Sequence, residues 1–411
     1  MDRRAFLKNV TLGTGASSLA LSASGCAPSP GAGEFPEALT TVTTPFLGLE
    51  ERFSSPIRIV RLECRSTSGG MMLQATSADG ATGLAAGNER QAHLNPVLEH
   101  LVAPSFLGQD ARRLEHLVDE AYRAHSNYKL AGLALNNCIA LAELAVWDLL
   151  ARQAGIPVHA LLGPQRRRAL PAYLTRLTRS TTASQEVDQV LEEMERTGAT
   201  AVKVKIGGRM SGNADASPGR TEALIPALRR ALGSRTIYVD SNGSYDAPTA
   251  IRVGRLLEDH GVAFFEEPCP FQEFEATRQV ADALRLPVAG GEQDTSLPMF
   301  SWMIRHRALD IVQPDLLYAG GLIRTLRVAR MAAAAGLPVI PHSPGKGFKT
   351  VYQLHLAAVI PNLGAHIEQS PHPGFTGGLV HVPGGPGWGV EGADEAFASG
   401  ATVFNLPASR A

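Results

Sequence analysis

Eight ionisable residues recur through the second half of the chain at a nearly constant interval. Lys203 and Lys205 close one apolar run, and Asp240, Glu266, Glu292, Asp315, His342 and Glu368 follow, the last five at steps of 26, 26, 23, 27 and 26 residues. One step is about the length of a strand plus a helix. Each group therefore falls near the carboxyl end of its strand, the face on which parallel barrels carry their active sites. Three carboxylates converging there, Asp240, Glu266 and Glu292, would repel one another without a cation, and hard oxygen ligands suit Mg²⁺. Lys203 and Lys205, two residues apart, point to one side of a strand. Like charges so close lower a lysine pKa, which makes the pair a candidate general base. Asp315 on the strand next to His342 would fix the imidazole tautomer and support its charged form, giving an acid/base catalyst. Glu368 is placed to hydrogen-bond the substrate or the histidine. Singly, each acid could be a solvated loop residue, the lysines an edge stripe and the histidine structural; their common period argues against that.

The elements that must position these groups are legible around them. Short apolar runs at 170–175, 200–207, 235–242, 262–268, 287–293, 309–316, 338–343 and 364–370 alternate with amphipathic or alanine-rich segments such as 186–196, 221–232, 249–260 and 322–335. Eight such alternations predict an α/β fold with a parallel barrel. Upstream, β-like runs at 57–65, 71–76 and 83–87 predict a small antiparallel sheet. Helical patterns follow at 95–103, 110–125 and 132–154, the last apolar nearly all round and therefore buried. The predicted organisation is an export signal over 1–30, a tether over 31–54, an α+β capping domain over 55–165, a barrel over 166–370, and a C-terminal segment over 371–411. No helix is expected after 370, and the tail is expected to pack back on the cap.

Composition narrows the function. Lys+Arg 38 against Asp+Glu 39 gives a net charge of −1 and no electrostatic case for nucleic acid. Four cysteines without a CxxC pair favour neither a disulfide framework nor zinc. No GK[ST] or HExxH pattern is present, and Gly207-Gly208 does not make a dinucleotide fingerprint. Asn242-Gly243-Ser244 is a glycosylation sequon by pattern, but it directly follows Asp240. At the N-terminus, Arg3-Arg4 with Phe6-Leu7-Lys8 precedes a mildly apolar run too short to span a membrane. It resembles a twin-arginine signal, which implies the twin-arginine export machinery as a partner and a periplasmic destination. Cys26 sits in a lipoprotein-like cleavage site, so a lipid anchor at Cys26 and ordinary cleavage nearby are both open.

The ordered motifs resemble the enolase superfamily, and within it the mandelate racemase/muconate lactonizing enzyme family. They are Ala145-Val146-Trp147-Asp148-Leu149, Lys203-Val204-Lys205, Val239-Asp240-Ser241-Asn242, Phe265-Glu266-Glu267-Pro268, Gly290-Gly291-Glu292, Gln313-Pro314-Asp315 with Gly320-Gly321, Pro341-His342-Ser343 and Ile367-Glu368. The resemblance implies a modified (β/α)7β TIM-type barrel with an N-terminal α+β capping domain, and Mg²⁺ on Asp240, Glu266 and Glu292. It implies that Lys205 abstracts a proton, that Lys203 tunes it and contacts the substrate carboxylate, and that His342 backed by Asp315 works from the opposite face. Glu368 matches the family's eighth-strand glutamate, Asn242 is implied to touch substrate or a ligand water, and a homo-oligomer is the usual assembly.

The chemistry fits without the name. Removing a proton α to a carboxylate builds negative charge on the carboxylate oxygens, where a divalent cation and Lys203 would stabilise it. The base is Lys205 or His342, whichever faces the proton. A β-hydroxyl assisted by protonated His342 would then leave, giving a 2-keto-3-deoxy acid; the expected substrate is a small-molecule carboxylate, specifically a sugar acid. Return of the proton from the other face would instead make a racemase or epimerase. A non-catalytic, exported carboxylate-binding protein would not require both acid/base arms. Residues 344–348 match no recognised specificity subclass.

Overall fold

The computed structural model describes residues 44–343 and 347–408; the expected export signal, Cys26 and the first part of the expected tether lie outside them. Strands β1 (Ile59–Thr67), β2 (Gly70–Ser77) and β3 (Thr82–Ala86) form an antiparallel meander. Its inner face packs on the helix Leu133–Gln153, which is buried on nearly every side. That helix is long and apolar enough to cross a membrane by length and composition alone, yet 89% of its most apolar window is buried inside the protein, as a core helix would be. Gly83 permits the contact: a Cβ there would lie 2.0 Å from the Leu149 nitrogen and 2.4 Å from the Ala145 oxygen.

Two local expectations need correction. The helix expected over 95–103 begins at Gln91 and passes into a π turn at Leu98–Val102, just after Pro96 has removed a donor from the ladder. The tail is not free of helix: Ala393–Ala398 form one, with Ala393 and Phe397 buried against Met72, Leu84 and Ala86. Six residues are too few to show a helical period. A later strand, β12 (Ala401–Pro407), completes the cap sheet by pairing antiparallel with β1.

The barrel is a parallel ring. In order around it run β4 (Ala169–Thr175), β5 (Ala201–Lys205), β6 (Thr236–Asp240), β7 (Phe264–Glu266), β8 (Val288–Gly290) and β9 (Ile311–Val312). The seventh position is an irregular run held by single bridges, Val312 to Val339 and Asp315 to His342. At the eighth, β10 (Ile367–Gln369) pairs with β4 and closes the ring. Helices follow the first seven positions: Ala183–Thr197, Arg220–Leu232, Ala247–Asp259, Phe274–Ala283, Leu297–Arg305, Leu322–Ala334 and Phe348–Val359. After β10 the chain instead turns back as β11 (Leu379–His381), antiparallel to β4. This is a modified (β/α)7β barrel.

Strand alternation builds the floor of the site. Tyr173, Ala201, Tyr238, Phe264, Ala289, Ile311 and Ile340 form one buried inward layer, with Tyr238 and Phe264 stacked at 4.0 Å. Two residues further along, the same faces carry Thr175, Lys203, Asp240, Glu266 and His342. The polar layer thus rests on a dry plug, where electrostatic interactions are screened least.

Candidate active site

Parallel register sets the charged groups at one height. Lys205 pairs with Asp240 across β5 and β6, and Asp240 with Glu266 across β6 and β7. Glu292 stands two residues beyond β8. Asp240, Glu266 and Glu292 are buried, and each offers a carboxylate oxygen within 4.8 Å of the others.

Each lysine answers a carboxylate. Lys203 Nζ lies 2.7 and 2.9 Å from the Glu266 oxygens and 2.8 Å from Glu368 Oε1. Burial would lower its pKa, but Glu266 and Glu368 outweigh that and hold it well above the ordinary lysine value. The expectation that neighbouring ammonium groups would depress each other's pKa is therefore corrected for Lys203, which is a fixed cation. Lys205 donates to Asp240 Oδ2. Burial pushes Asp240 up, yet Lys205 and Lys203 more than offset it and keep the group ionised. Glu266 shifts the other way: burial, with the charges of Asp240, Glu368 and Glu292, outweighs Lys203 and raises it. That is the repulsion a bound cation would relieve.

His342 approaches from the far side of the ring. Its Nδ1 lies 2.9 Å from Asp315 Oδ2, and its Nε2 is 3.1 Å from Glu292 Oε2 and 3.8 Å from Glu368 Oε2. Asp315 is itself held, its Oδ1 accepting the Leu317 and Tyr318 N–H groups at the start of the turn Leu316–Ala319. Burial would lower the imidazole pKa, but Glu292, Asp315 and Glu368 raise it to about 10. The charged ring hydrogen-bonds to Asp315 through Nδ1, whereas its Nε2 lies beside Glu292 Oε2 without a hydrogen bond between them. Lys205 at the second position and His342 at the seventh thus flank the carboxylates of the third to fifth.

Residues 47–163 match the mandelate racemase/muconate lactonizing enzyme N-terminal domain, and residues 185–396 match the enolase C-terminal domain-like family. The chain belongs to the mandelate racemase/muconate lactonizing enzyme family. It is 30% identical over 267 residues to arabinonate dehydratase of Saccharolobus solfataricus, covering 64% of this chain and 69% of that one. It is 29% identical over 299 residues to L-talarate/galactarate dehydratase of Salmonella typhimurium, covering 71% and 70%. Among solved structures, a Roseobacter denitrificans protein assigned provisionally as a racemase superposes with a TM-score of 0.81 at 37% identity, covering 85% of this chain and all of that one. A mandelate racemase/muconate lactonizing protein from Paracoccus denitrificans, complexed with magnesium, superposes at 0.78 with 25% identity, covering 86% and 100%.

In this member of the family several site residues lie outside the periodic charged series. Glu267 follows Glu266 directly and should face away, but its φ of +42° turns it inward, where its Oε2 accepts from Asn242. Gln313 donates to Glu266 Oε2 at 2.7 Å, and Thr175 to Glu368 Oε1 at 2.9 Å. Strand alternation two residues from Asp315 and Tyr173 could have found both. Asn242 is buried in the cluster: its backbone N–H donates to Asp240 Oδ1 at 2.7 Å and its Nδ2 to Asp240 Oδ2 at 3.1 Å. The folded sequon is thus inaccessible to a glycan. Beyond His342 a cleft opens between cap and barrel, lined by Asn88, Glu89, Tyr318, Ser343, Lys349 and Tyr352. The cap crosses it through Glu89 to Lys349 at 3.0 Å and Arg90 to the Tyr318 hydroxyl at 2.5 Å.

Proposed function

We propose that the protein is a Mg²⁺-dependent sugar-acid dehydratase acting outside the cytoplasm after twin-arginine export. The observation that carries this is the pairing of Lys205 with the Asp315-held His342 on two sides of the carboxylate triad. Asp240, Glu266 and Glu292 fit the ion: three oxygen donors converge in a buried, mutually repelling cluster. When bound there, Mg²⁺ would supply Lewis-acid stabilisation of negative charge on the substrate carboxylate.

The remaining work falls to the chain. Lys203, permanently charged, stands where carboxylate charge grows as the α-carbon–hydrogen bond breaks. Lys205 Nζ, once it has released its own proton and is the neutral amine, takes that proton. His342, held as the imidazolium, gives its Nε2 proton to the β-hydroxyl as the carbon–oxygen bond breaks, and water leaves. The resulting enol is protonated at C3 and loses its hydroxyl proton, giving the 2-keto-3-deoxy acid. The dehydratases among the relatives support this reading. A racemase or epimerase remains the second reading, favoured by the 37% identical Roseobacter protein, since two opposed arms can also return the proton.

Proton NMR in D₂O tests it. The protein with Mg²⁺ is incubated with aldonic, uronic and aldaric acids beside Lys205→Ala. Loss of the α-proton with new 2-keto-3-deoxy resonances is expected, and none in the variant. Exchange with inversion and no elimination would establish the racemase instead.

A further inference from the structure

We propose that Arg179 is a positioning residue that anchors Asn242 and, through it, the Asp240 carboxylate of the cation site. This rests on the Mg²⁺ reading above. Arg179 lies on the loop after β4, and its half-buried guanidinium ties together the exits of neighbouring strands. Its Nε donates to the carbonyl oxygens of Ile206 and Gly207, just beyond β5, at 3.3 and 3.1 Å. Its Nη2 donates to Asn242 Oδ1, just beyond β6, at 2.8 Å.

An arginine only donates, so it bonds the oxygen end of the Asn242 amide and leaves the NH₂ end facing the other way. That end meets Asp240 Oδ2 at 3.1 Å and Glu267 Oε2 at 3.2 Å. The Asn242 backbone N–H takes the second oxygen, Asp240 Oδ1, at 2.7 Å. Both oxygens of one candidate metal ligand are thus held by a single residue. Its φ of +44° lies in the left-handed region, which asparagine adopts more readily than most side chains. The carboxylates decide which end of the amide faces them, and Arg179 fixes where that end sits. A planar fork can serve three oxygens at once on two different strand exits, which a lysine ammonium on a flexible stem cannot reproduce.

Geometry and charge make opposite predictions here. Were Arg179 only a nearby positive charge, removing it would strengthen binding of a cation. As a positioning residue, its loss weakens binding, and keeping the charge as lysine does not restore it. The test is calorimetric titration of Mg²⁺ alone into the full protein, wild type beside Arg179→Gln, Arg179→Lys, Asn242→Ala and the double variant Arg179→Gln/Asn242→Ala, each checked for folding by thermal unfolding without metal.

The expected result is an affinity lower by roughly 10- to 100-fold in Arg179→Gln and also reduced in Arg179→Lys. In the Asn242→Ala background, replacing Arg179 should change affinity less than about twofold, because the path is already cut. Unchanged or tighter binding in Arg179→Gln, or fully additive losses in the double variant, overturns the proposal while leaving the Mg²⁺ reading intact. Should Arg179→Gln not fold, Arg179→Lys decides alone: wild-type affinity overturns the proposal. A wild type that binds no Mg²⁺ overturns both.

Discussion

Glu143 Oε1 accepts the backbone N–H of Ile323 at 2.9 Å, so a carboxyl group from the middle of the cap's long helix closes the amino end of the barrel helix Leu322–Ala334. The same oxygen takes the Trp147 indole N–H at 2.8 Å. Gly321, with a φ of +106°, lies beneath: a Cβ there would be 1.9 Å from Glu143 Oε2. The Gly320-Gly321 pair is therefore where the cap lands. It also ends the turn that Asp315 caps, so the docking of the cap and the placing of His342 share one segment.

Gly321→Ala meets both the strained φ and the clash with Glu143. The variant should lose about 3 kcal/mol of stability in a denaturant titration, with cap and barrel no longer unfolding together. A loss under about 0.5 kcal/mol would show that the cap does not need this contact.

Burial raises the Glu143 carboxyl from its ordinary value of 4.5 to about 8, against the lowering effect of its hydrogen bonds to Ile323 and Trp147. Between those two pH values the folded chain holds a proton that the unfolded chain has released. Stability from this group is therefore full below 4.5 and falls as pH rises towards 8, by up to about 1.4 kcal/mol per unit. Glu143→Gln keeps the accepting oxygen and cannot ionise. It should match the wild type at pH 4.5 and exceed it at pH 8; a variant weaker than wild type at pH 8 would reverse the sign.

Glu266→Gln removes one repelling carboxylate. Without metal the variant should melt at or above the wild-type temperature. Saturating Mg²⁺ should stabilise the wild type by about 2.7 kcal/mol at a hundred times Kd and leave the variant nearly unmoved. An equal rise in both would remove Glu266 from the ligand set.

Asp315→Asn takes away one of the charges that raise His342. Less of the ring is then protonated at a given alkaline pH, so the alkaline fall in activity should begin lower, by about one pH unit or more. The measurement is kcat/KM against pH; an unmoved alkaline limb would mean that His342 does not act as the proton donor.

Ser343 Oγ is buried in the cleft beside His342 without a hydrogen-bond partner among the described residues. Ser343→Ala should therefore cost no stability, since an unsatisfied hydroxyl contributes little. If the cleft receives the distal hydroxyls of a sugar acid, KM should rise several-fold with kcat nearly kept. A fall in stability with KM unchanged would assign the hydroxyl to the fold.

The sequence by itself determined the barrel and which residues crown it. Strand alternation and the roughly 26-residue step are local, so Lys205, Asp240, Glu266 and His342 could be placed on one face before any contact was known. What only the tertiary structure decided depends on partners far away in the chain. β12 pairs with β1 more than three hundred residues earlier, and nothing within 401–407 names that partner. Lys203 is a fixed cation because Glu266 and Glu368 arrive from other strands; its neighbour Lys205 had suggested the reverse. Glu267 enters the site through a left-handed φ that breaks strand alternation, and Arg179 through a loop that has no period at all. Periodicity records where a backbone points, whereas the charge state of a buried group is set by whatever the fold brings within a few ångströms of it.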